Sequence, residues 1–240
     1  MIPKIIHYCW FGKGAMPELV ARCIASWHIY MPDWEYKLWT EDNFDVASAP
    51  RYVQDAYAAK KYAFVSDYVR LWALEREGGL YMDVDFEVYR PFDELMERYD
   101  AFAGYEGSKR NPVMMGVLAA KAHHPWIQGM LQTYADRAFV LADGSLDMTP
   151  NTGYFLDWML DRGFLNNGKE QDFMGVRILP VECFCPVLTT GENLRCERTY
   201  CEHKGLHSWS GNGGWKAKAL SFLPQSWKTK VIKLKRRIIG

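Results

Sequence analysis

The sequence predicts an α/β fold with a single central mixed sheet flanked by helices, and three observations carry that prediction. Short apolar, strand-like stretches alternate with helical ones along the chain, the pattern of a sheet whose faces are covered by helices. The chain has 240 residues and is 49% hydrophobic, enough for a sizeable core in one main domain. At Gly78-Gly79 an apolar helix runs directly into an apolar strand, with glycine where a helix C-terminus favours it.

The elements follow in order. Ile2–Cys9 reads as a first strand, and Phe11–Pro17 as a glycine-bearing loop. Pro17 opens a helix through about Tyr30, in the position proline tolerates best. Tyr36–Trp39 alternates like a short strand, and Thr40 with the acids after it reads as a helix cap. Arg51–Lys60 and Tyr62–Glu77 are expected as helices, Leu80–Val88 as a strand, and Pro91 as the start of a short helix. Beyond them come a strand at Ala101–Tyr105, an apolar segment Val113–Ala120, helices Pro125–Ala142 and Thr152–Arg162, and strand-like pieces at Val176–Val181 and Thr199–His203. Gly211-Asn212-Gly213-Gly214 is the one flexible joint, so residues 1–211 are expected as the main domain and 212–240 as a separate tail.

Several function classes drop out. No apolar run approaches the length that spans a bilayer. The N-terminus lacks the charged, apolar and small-residue regions of a signal peptide, so a cytoplasmic protein is expected. Cys183, Cys185, Cys196 and Cys201, with His203 close behind, have spacings that fit no common zinc module, and scattered reduced thiols are expected instead. The chain has no GxGxxG or P-loop fingerprint, and no Ser-His-Asp or Cys-His arrangement presents itself.

The most informative stretch is Gly-Gly-Leu-Tyr-Met-Asp-Val-Asp, residues 78–85. On a continuous strand Tyr81, Asp83, Asp85 and Glu87 share one face. Two neighbouring carboxylates on a core strand repel each other and are costly to desolvate unless a cation or donors compensate. A hard divalent ion, Mg²⁺ or Mn²⁺, takes oxygen ligands and leaves positions open for phosphates. Strand ends also carry Asp-X-Asp by chance, so the dipeptide alone decides little. In the preceding helix, Asp67 and Arg70 stand three apart on one face of an otherwise apolar segment, with Ser66 beside them. A simple intrahelical ion pair is the bland explanation. A buried charged pair is seldom favoured over apolar residues for stability alone, which points to function.

Taken together, Ser66-Asp67-x-x-Arg70 and Gly78-Gly79-x-Tyr81-x-Asp83-x-Asp85 resemble the glycosyltransferase sugar-binding region containing a DXD motif, found in glycosyltransferase family 32. Ile5–Gly12, with Trp10, is similar to that family's opening strand, and Thr199–His203 followed by Ser208-Trp209 to its closing His…Ser-Trp segment. The resemblance touches residues 5–12, 40–95 and 199–209. The closing segment departs from the pattern in carrying Lys204 after His203, where paired histidines are frequent. Residues 111–182 are only loosely similar, at Met115-Gly116 and Thr152-Gly153.

The resemblance implies a GT-A fold and a retaining, metal-dependent transferase using Mn²⁺ or Mg²⁺. Asp85 would be the main metal ligand, Asp83 would touch the metal or the donor's hydroxyls, and His203 could add a further ligand. Asp67 and Arg70 would hold the donor sugar, with Ser66 beside them and Tyr81 bordering the pocket. Trp10 would stack on the nucleotide base, although a tryptophan beside a first strand often merely packs. Ser208 and Trp209 would close over the diphosphate. Glu87 lies too far along the strand to ligate.

Zero net charge hides an asymmetry. Residues 215–240 hold eight Lys/Arg and no acid, leaving 21 basic against 29 acidic groups elsewhere, a net of −8. Val231, Leu234 and Ile238 fall at helical spacing, with Trp227 a turn earlier. Such a cationic amphipathic segment suits an anionic membrane surface, with no specific nucleic acid partner expected. The expected function is transfer of a hexose, from a UDP-sugar in preference, to a lipid-linked glycan in capsule, O-antigen or exopolysaccharide synthesis. The expected place is the inner face of the cytoplasmic membrane, as a peripheral protein. Two alternatives remain: a toxin-like transferase acting on a protein, and a non-catalytic cation- or nucleic-acid-binding module with a basic arm.

Overall fold

The computed structural model describes residues 1–108 and 111–205, and Met1–Lys204 forms one compact unit. Ser208, Trp209, the Gly211–Gly214 joint and the basic tail lie outside the described residues.

A sheet of seven strands runs through the core: β1 (Ile5–Cys9), β2 (Glu35–Trp39), β3 (Gly79–Met82), β5 (Ala101–Tyr105), β6 (Val113–Ala120), β7 (Gln171–Phe173) and β8 (Val176–Leu179). Its order is β2-β1-β3-β6-β5-β8-β7. β1 runs parallel to β2 and β3, whereas β6 is antiparallel to both β3 and β5. β5 and β8 run parallel, and β7 turns back antiparallel on β8. β3, β5 and β6 are buried throughout, as near-continuous apolar runs in a sheet covered on both faces should be. This is the mixed, helix-flanked sheet of the GT-A expectation. A separate ribbon pairs β4 (Phe86–Val88) with β9 (Cys201–His203) antiparallel.

The helices are α1 (Glu18–Tyr30), α2 (Arg51–Ala58), α3 (Tyr62–Glu77), α4 (Asp93–Arg98), α5 (Pro125–Gln132) and α6 (Asn151–Leu160). α3 packs on β1 and β6 and against α2 and α5, with eight of its residues buried. It ends at Gly78, whose φ of +67° suits only glycine and where a Cβ would lie 2.7 Å from the Ala122 amide nitrogen. Beneath that turn, the buried His7 donates from Nε2 to the Gly78 carbonyl (2.8 Å) and accepts from Trp39 Nε1 at Nδ1 (3.2 Å). Burial lowers the His7 pKa, so this neutral tautomer locks α3 to the first strand.

Four readings need correction. The expected strand Leu80–Val88 is two strands in different sheets, because the chain turns at Asp83–Asp85. The Asp83 amide donates to the Gly116 carbonyl (2.8 Å), and the Phe86 amide then closes back on the Asp83 carbonyl (3.2 Å). Thr40 does not cap a helix. Its hydroxyl accepts from the Asp42 amide (3.1 Å) in a turn, and Asp45 caps the short 3₁₀ turn that follows. The helix expected over Pro125–Ala142 stops at Gln132 and passes into a 3₁₀ turn at Thr133–Ala135. β7 was not anticipated, since three residues carry too little periodicity to register.

Candidate functional site

The site lies where β3 ends and the backbone leaves the sheet, at the carboxyl end of a central strand where open α/β sheets present their ligand crevices. From α3, the Arg70 guanidinium reaches over. Its side chain is 6% exposed and 2.9 Å from Asp67 Oδ1 and 3.2 Å from Asp83 Oδ1, both through Nη2. Nη1 donates to the Met115 carbonyl at 2.6 Å. Tyr81 donates its hydroxyl to the same Asp83 oxygen (2.8 Å), and the guanidinium carbon lies 4.8 Å from the Tyr81 ring centroid. Helical spacing and one tight turn thus bring Asp67, Arg70, Tyr81 and Asp83 together.

The electrostatics follow from burial. Burial is the main reason the Asp67 carboxyl is pushed up to about 6. The Asp83 charge adds to that rise, whereas Arg70 and Arg137 work against it. Burial likewise raises Asp83, with Asp85 adding to the rise and Arg70 and the Tyr81 hydroxyl restraining it. Desolvation opposes the Arg70 charge, but Asp83, Tyr81 and Asp67 hold its pKa above the ordinary value. One guanidinium therefore balances two carboxylates.

Asp85 faces other partners. Its Oδ2 accepts from His203 Nε2 at 3.1 Å, and its carbonyl accepts from the Lys204 amide at 2.8 Å. The β4–β9 register places His203 opposite Phe86, and the two rings stack with centroids 4.8 Å apart. α1 holds β4 in turn: Trp27 Nε1 donates to the Phe86 carbonyl (2.7 Å), and Ser26 Oγ accepts from the Val88 amide (2.9 Å). The His203 side chain is 39% exposed. Desolvation of the ring opposes its charge, yet the Asp85 hydrogen bond and the charges of Asp85, Asp83 and Glu106 raise its pKa overall.

Other residues singled out in the sequence stand apart from this pair of clusters. Ser66 donates its hydroxyl to the Tyr62 carbonyl one turn back in α3 (3.1 Å). Trp10 is half-buried beyond the end of β1, with Nε1 donating to the Gly14 carbonyl (2.6 Å). Glu87 pairs with the Lys204 ammonium at 2.8 Å.

Three contributors escaped the sequence reading. A Cβ at Gly116 would lie 2.8 Å from both Asp83 Oδ2 and the Phe86 ring, so glycine is what lets β6 approach the Asp83 turn. Glu106, at the end of β5, is half-buried, its pKa raised by desolvation and drawn down by His203. Lys204 joins Glu87, Glu202 and Tyr89. A carboxylate just past a central strand, as Asp83 also is, was the one available signal for Glu106.

The donor set fits a hard divalent ion. Asp85 and His203 already present an oxygen and a nitrogen side by side, and Asp83, with Oδ1 engaged by Arg70 and Tyr81, directs Oδ2 towards Gly116. Among the described residues no group of three or more His, Cys, Asp or Glu side chains gathers around one point. An ion held there would take its remaining ligands from phosphate and water, as Mg²⁺ and Mn²⁺ do in phosphate sites.

Known proteins similar to this chain include sugar transferases. Residues 17–102 match the family described as glycosyltransferase sugar-binding region containing DXD motif. Inositol phosphoceramide mannosyltransferase 3 of Schizosaccharomyces pombe is 28% identical over 141 residues, 58% of this chain and 38% of that protein. Inositol phosphoceramide mannosyltransferase 2 of the same organism is 29% identical over 147 residues, 58% of this chain and 40% of its own length. The chain thus spans about two fifths of the length of these curated relatives. Among solved structures, the galactosyltransferase LgtC in complex with donor and acceptor sugar analogues is 13% identical with a TM-score of 0.45, over 94% of this chain and 99% of that one.

Proposed function

With residues 17–102 matching a glycosyltransferase sugar-binding region that contains a DXD motif, we propose that the chain is a metal-dependent, retaining glycosyltransferase. It moves a hexose from a nucleoside diphosphate sugar to a glycan acceptor. The observation that carries this reading is the single guanidinium of Arg70 spanning Asp67 and Asp83, with Asp85 two residues on paired to His203. A purely structural ion pair needs neither the second carboxylate nor the histidine.

In this reading Asp67 and Arg70 fix the donor sugar, the carboxylate accepting from hydroxyls and the planar fork donating to oxygens. Asp83, oriented by Arg70 and Tyr81, meets the donor with its outer oxygen. Asp85 and His203 hold Mg²⁺ or Mn²⁺, which when bound supplies Lewis-acid stabilisation of the charge that develops on the departing diphosphate. Trp10, half-buried beyond the end of β1, is assigned the base in this reading. Retention proceeds by same-face attack, which asks of the protein mainly positioning and electrostatic stabilisation.

Finer points belong to the same proposal. The relatives named as mannosyltransferases make mannose the first sugar to test, alongside the UDP-sugars favoured by the sequence reading. A lipid-linked acceptor and peripheral attachment to the cytoplasmic membrane rest on the basic tail, residues 212–240. Among the described residues no helix is long and apolar enough to cross a membrane.

The test is thermal stabilisation by a panel of UDP- and GDP-sugars, with and without Mn²⁺, for wild type and Asp85→Ala. One nucleotide family should shift the melting temperature only with metal, and Asp85→Ala should lose that shift. No shift with any donor would remove the donor-site reading.

A further inference from the structure

The β4–β9 ribbon that brings His203 to Asp85 is only three residues long on each side. Isolated two-stranded ribbons are marginal. A slip of one residue sends every side chain to the opposite face, which would take His203 off Asp85. Hydrogen bonds between such short strands add little, so the register rests on the buried face of Phe86, Val88 and Cys201 and on the charged pair of the opposite face.

The central cross-strand pair makes matters worse, since Glu87 stands directly opposite Glu202. Like charges facing each other across a ribbon destabilise it. Between them lies the Lys204 ammonium, 2.8 Å from Glu87 Oε2 and 2.8 Å from Glu202 Oε1, and 2.9 Å from the Tyr89 hydroxyl. Arg195 also pairs with Glu202 and donates to Tyr89. The Lys204 main chain meanwhile donates to the Asp85 carbonyl at 2.8 Å. One residue thus bridges both strands through its side chain and clamps the Asp85 turn through its backbone.

We propose that Lys204 is a positioning residue, whose ammonium turns the facing Glu87 and Glu202 into a register lock that sets His203 on Asp85 for a divalent ion. The proposal rests on the metal-dependent reading above. It assigns Glu87 and Glu202 a role distinct from ligation: they hold the lysine, and the lysine holds the ligand pair. The Tyr89 hydroxyl also bridges Glu87 and Glu202, and His203 itself stacks on Phe86. Among the described residues Lys204 is the cation in contact with both facing carboxylates, since Arg195 pairs with Glu202 alone.

The test is a Mn²⁺ titration of the full chain in the presence of a fixed concentration of UDP or GDP, as wild type, Lys204→Met and Lys204→Arg. Free Mn²⁺ is read by its paramagnetic resonance and corrected for binding to the nucleotide alone. Binding of UDP and GDP without metal and the metal-free melting temperature are measured alongside. Lys204→Met should weaken Mn²⁺ binding at least ~10-fold, the usual cost of removing a group that orients a metal ligand. Lys204→Arg should restore most of it, and metal-free nucleotide binding should not change. Mn²⁺ affinity in Lys204→Met within about twofold of wild type, or an equal fall in metal-free nucleotide binding, overturns the proposal. Should Lys204→Met not fold, Lys204→Met combined with Glu202→Gln relieves the unpaired charge, and the same loss is expected there. A wild type that binds no Mn²⁺ removes the metal reading itself, and this proposal with it.

Discussion

The two carboxylates of the Asp-X-Asp turn are two residues apart but live in different structures. Asp83 belongs to the main sheet and to α3: Arg70, thirteen residues earlier, and Tyr81, two residues earlier, both bind its Oδ1. Asp85 belongs to the ribbon, and its imidazole partner comes from 118 residues later in the chain. The Asp67–Arg70 end of the first cluster is nearly sealed, with those side chains 13% and 6% exposed, and Asp83 opens at 32%. In the second, Asp85 is 10% exposed and the imidazole of His203 39%. A closed, charge-balanced half suits recognition of fixed hydroxyls. An open half with a carboxylate and an imidazole suits an exchangeable ion that arrives with its phosphates. The backbone break at Asp83–Asp85 is what allows one short motif to serve both.

The sharpest way to break this contrast is Arg70→Met. It leaves Asp67 and the half-buried Asp83 without their shared cation, which should cost about 3 kcal/mol of stability, the lower end for breaking a buried pair. The corresponding loss on the open side should be far smaller, because solvent screens His203. Chemical denaturation of Arg70→Met against His203→Ala measures the difference. A Gly116→Ala substitution should come next, because its Cβ would lie 2.8 Å from both Asp83 Oδ2 and the Phe86 ring. Overpacking of this kind costs roughly 1–3 kcal/mol. It strikes the joint between the two halves, so donor binding and metal binding should fall together in calorimetric titrations.

The smallest effect is the pH dependence of the closed half. Asp67 titrates from about 6 in the folded chain against an ordinary 3.8. Between those values the folded state holds more protons, so this group's contribution to stability falls as pH rises through that window and its cost is complete above about 6. Donor binding has the opposite sign, because it needs the carboxylate, and should rise as pH passes about 6. Asp67→Asn should abolish that rise and flatten the stability profile between about pH 4 and 6. Asp83 and Glu106, both raised by burial, add slope of the same sign.

Much of the closed half was legible in the sequence. A three-residue offset on an apolar helix puts Asp67 and Arg70 on one face. The glycine pair after the helix announces a turn into a buried strand, and α3 over Tyr62–Glu77 and β5 over Ala101–Tyr105 lie where hydrophobic periodicity places them. The strand through Asp83–Asp85 was misread as continuous because alternation of Tyr81, Asp83, Asp85 and Glu87 imitates a strand whether or not neighbours accept its hydrogen bonds. The Phe86 amide closes back on the Asp83 carbonyl and ends the alternation, β4 then pairs with β9, and no local pattern reports that change of partner.

By itself, then, the sequence determined the sheet-and-helix order, the Asp67–Arg70 pair and its approach to Asp83. Each follows from torsional and periodic rules that act over a few residues. Only the tertiary structure decided that Asp85 leaves the sheet, how His203, which the family resemblance had grouped with it, reaches it through the β4–β9 pairing, and that Glu106, Gly116 and Lys204 complete the surroundings. Those contacts depend on which strands pair and in what register, and pairing energy is spread over partners far apart in the chain, where no local spacing can encode it.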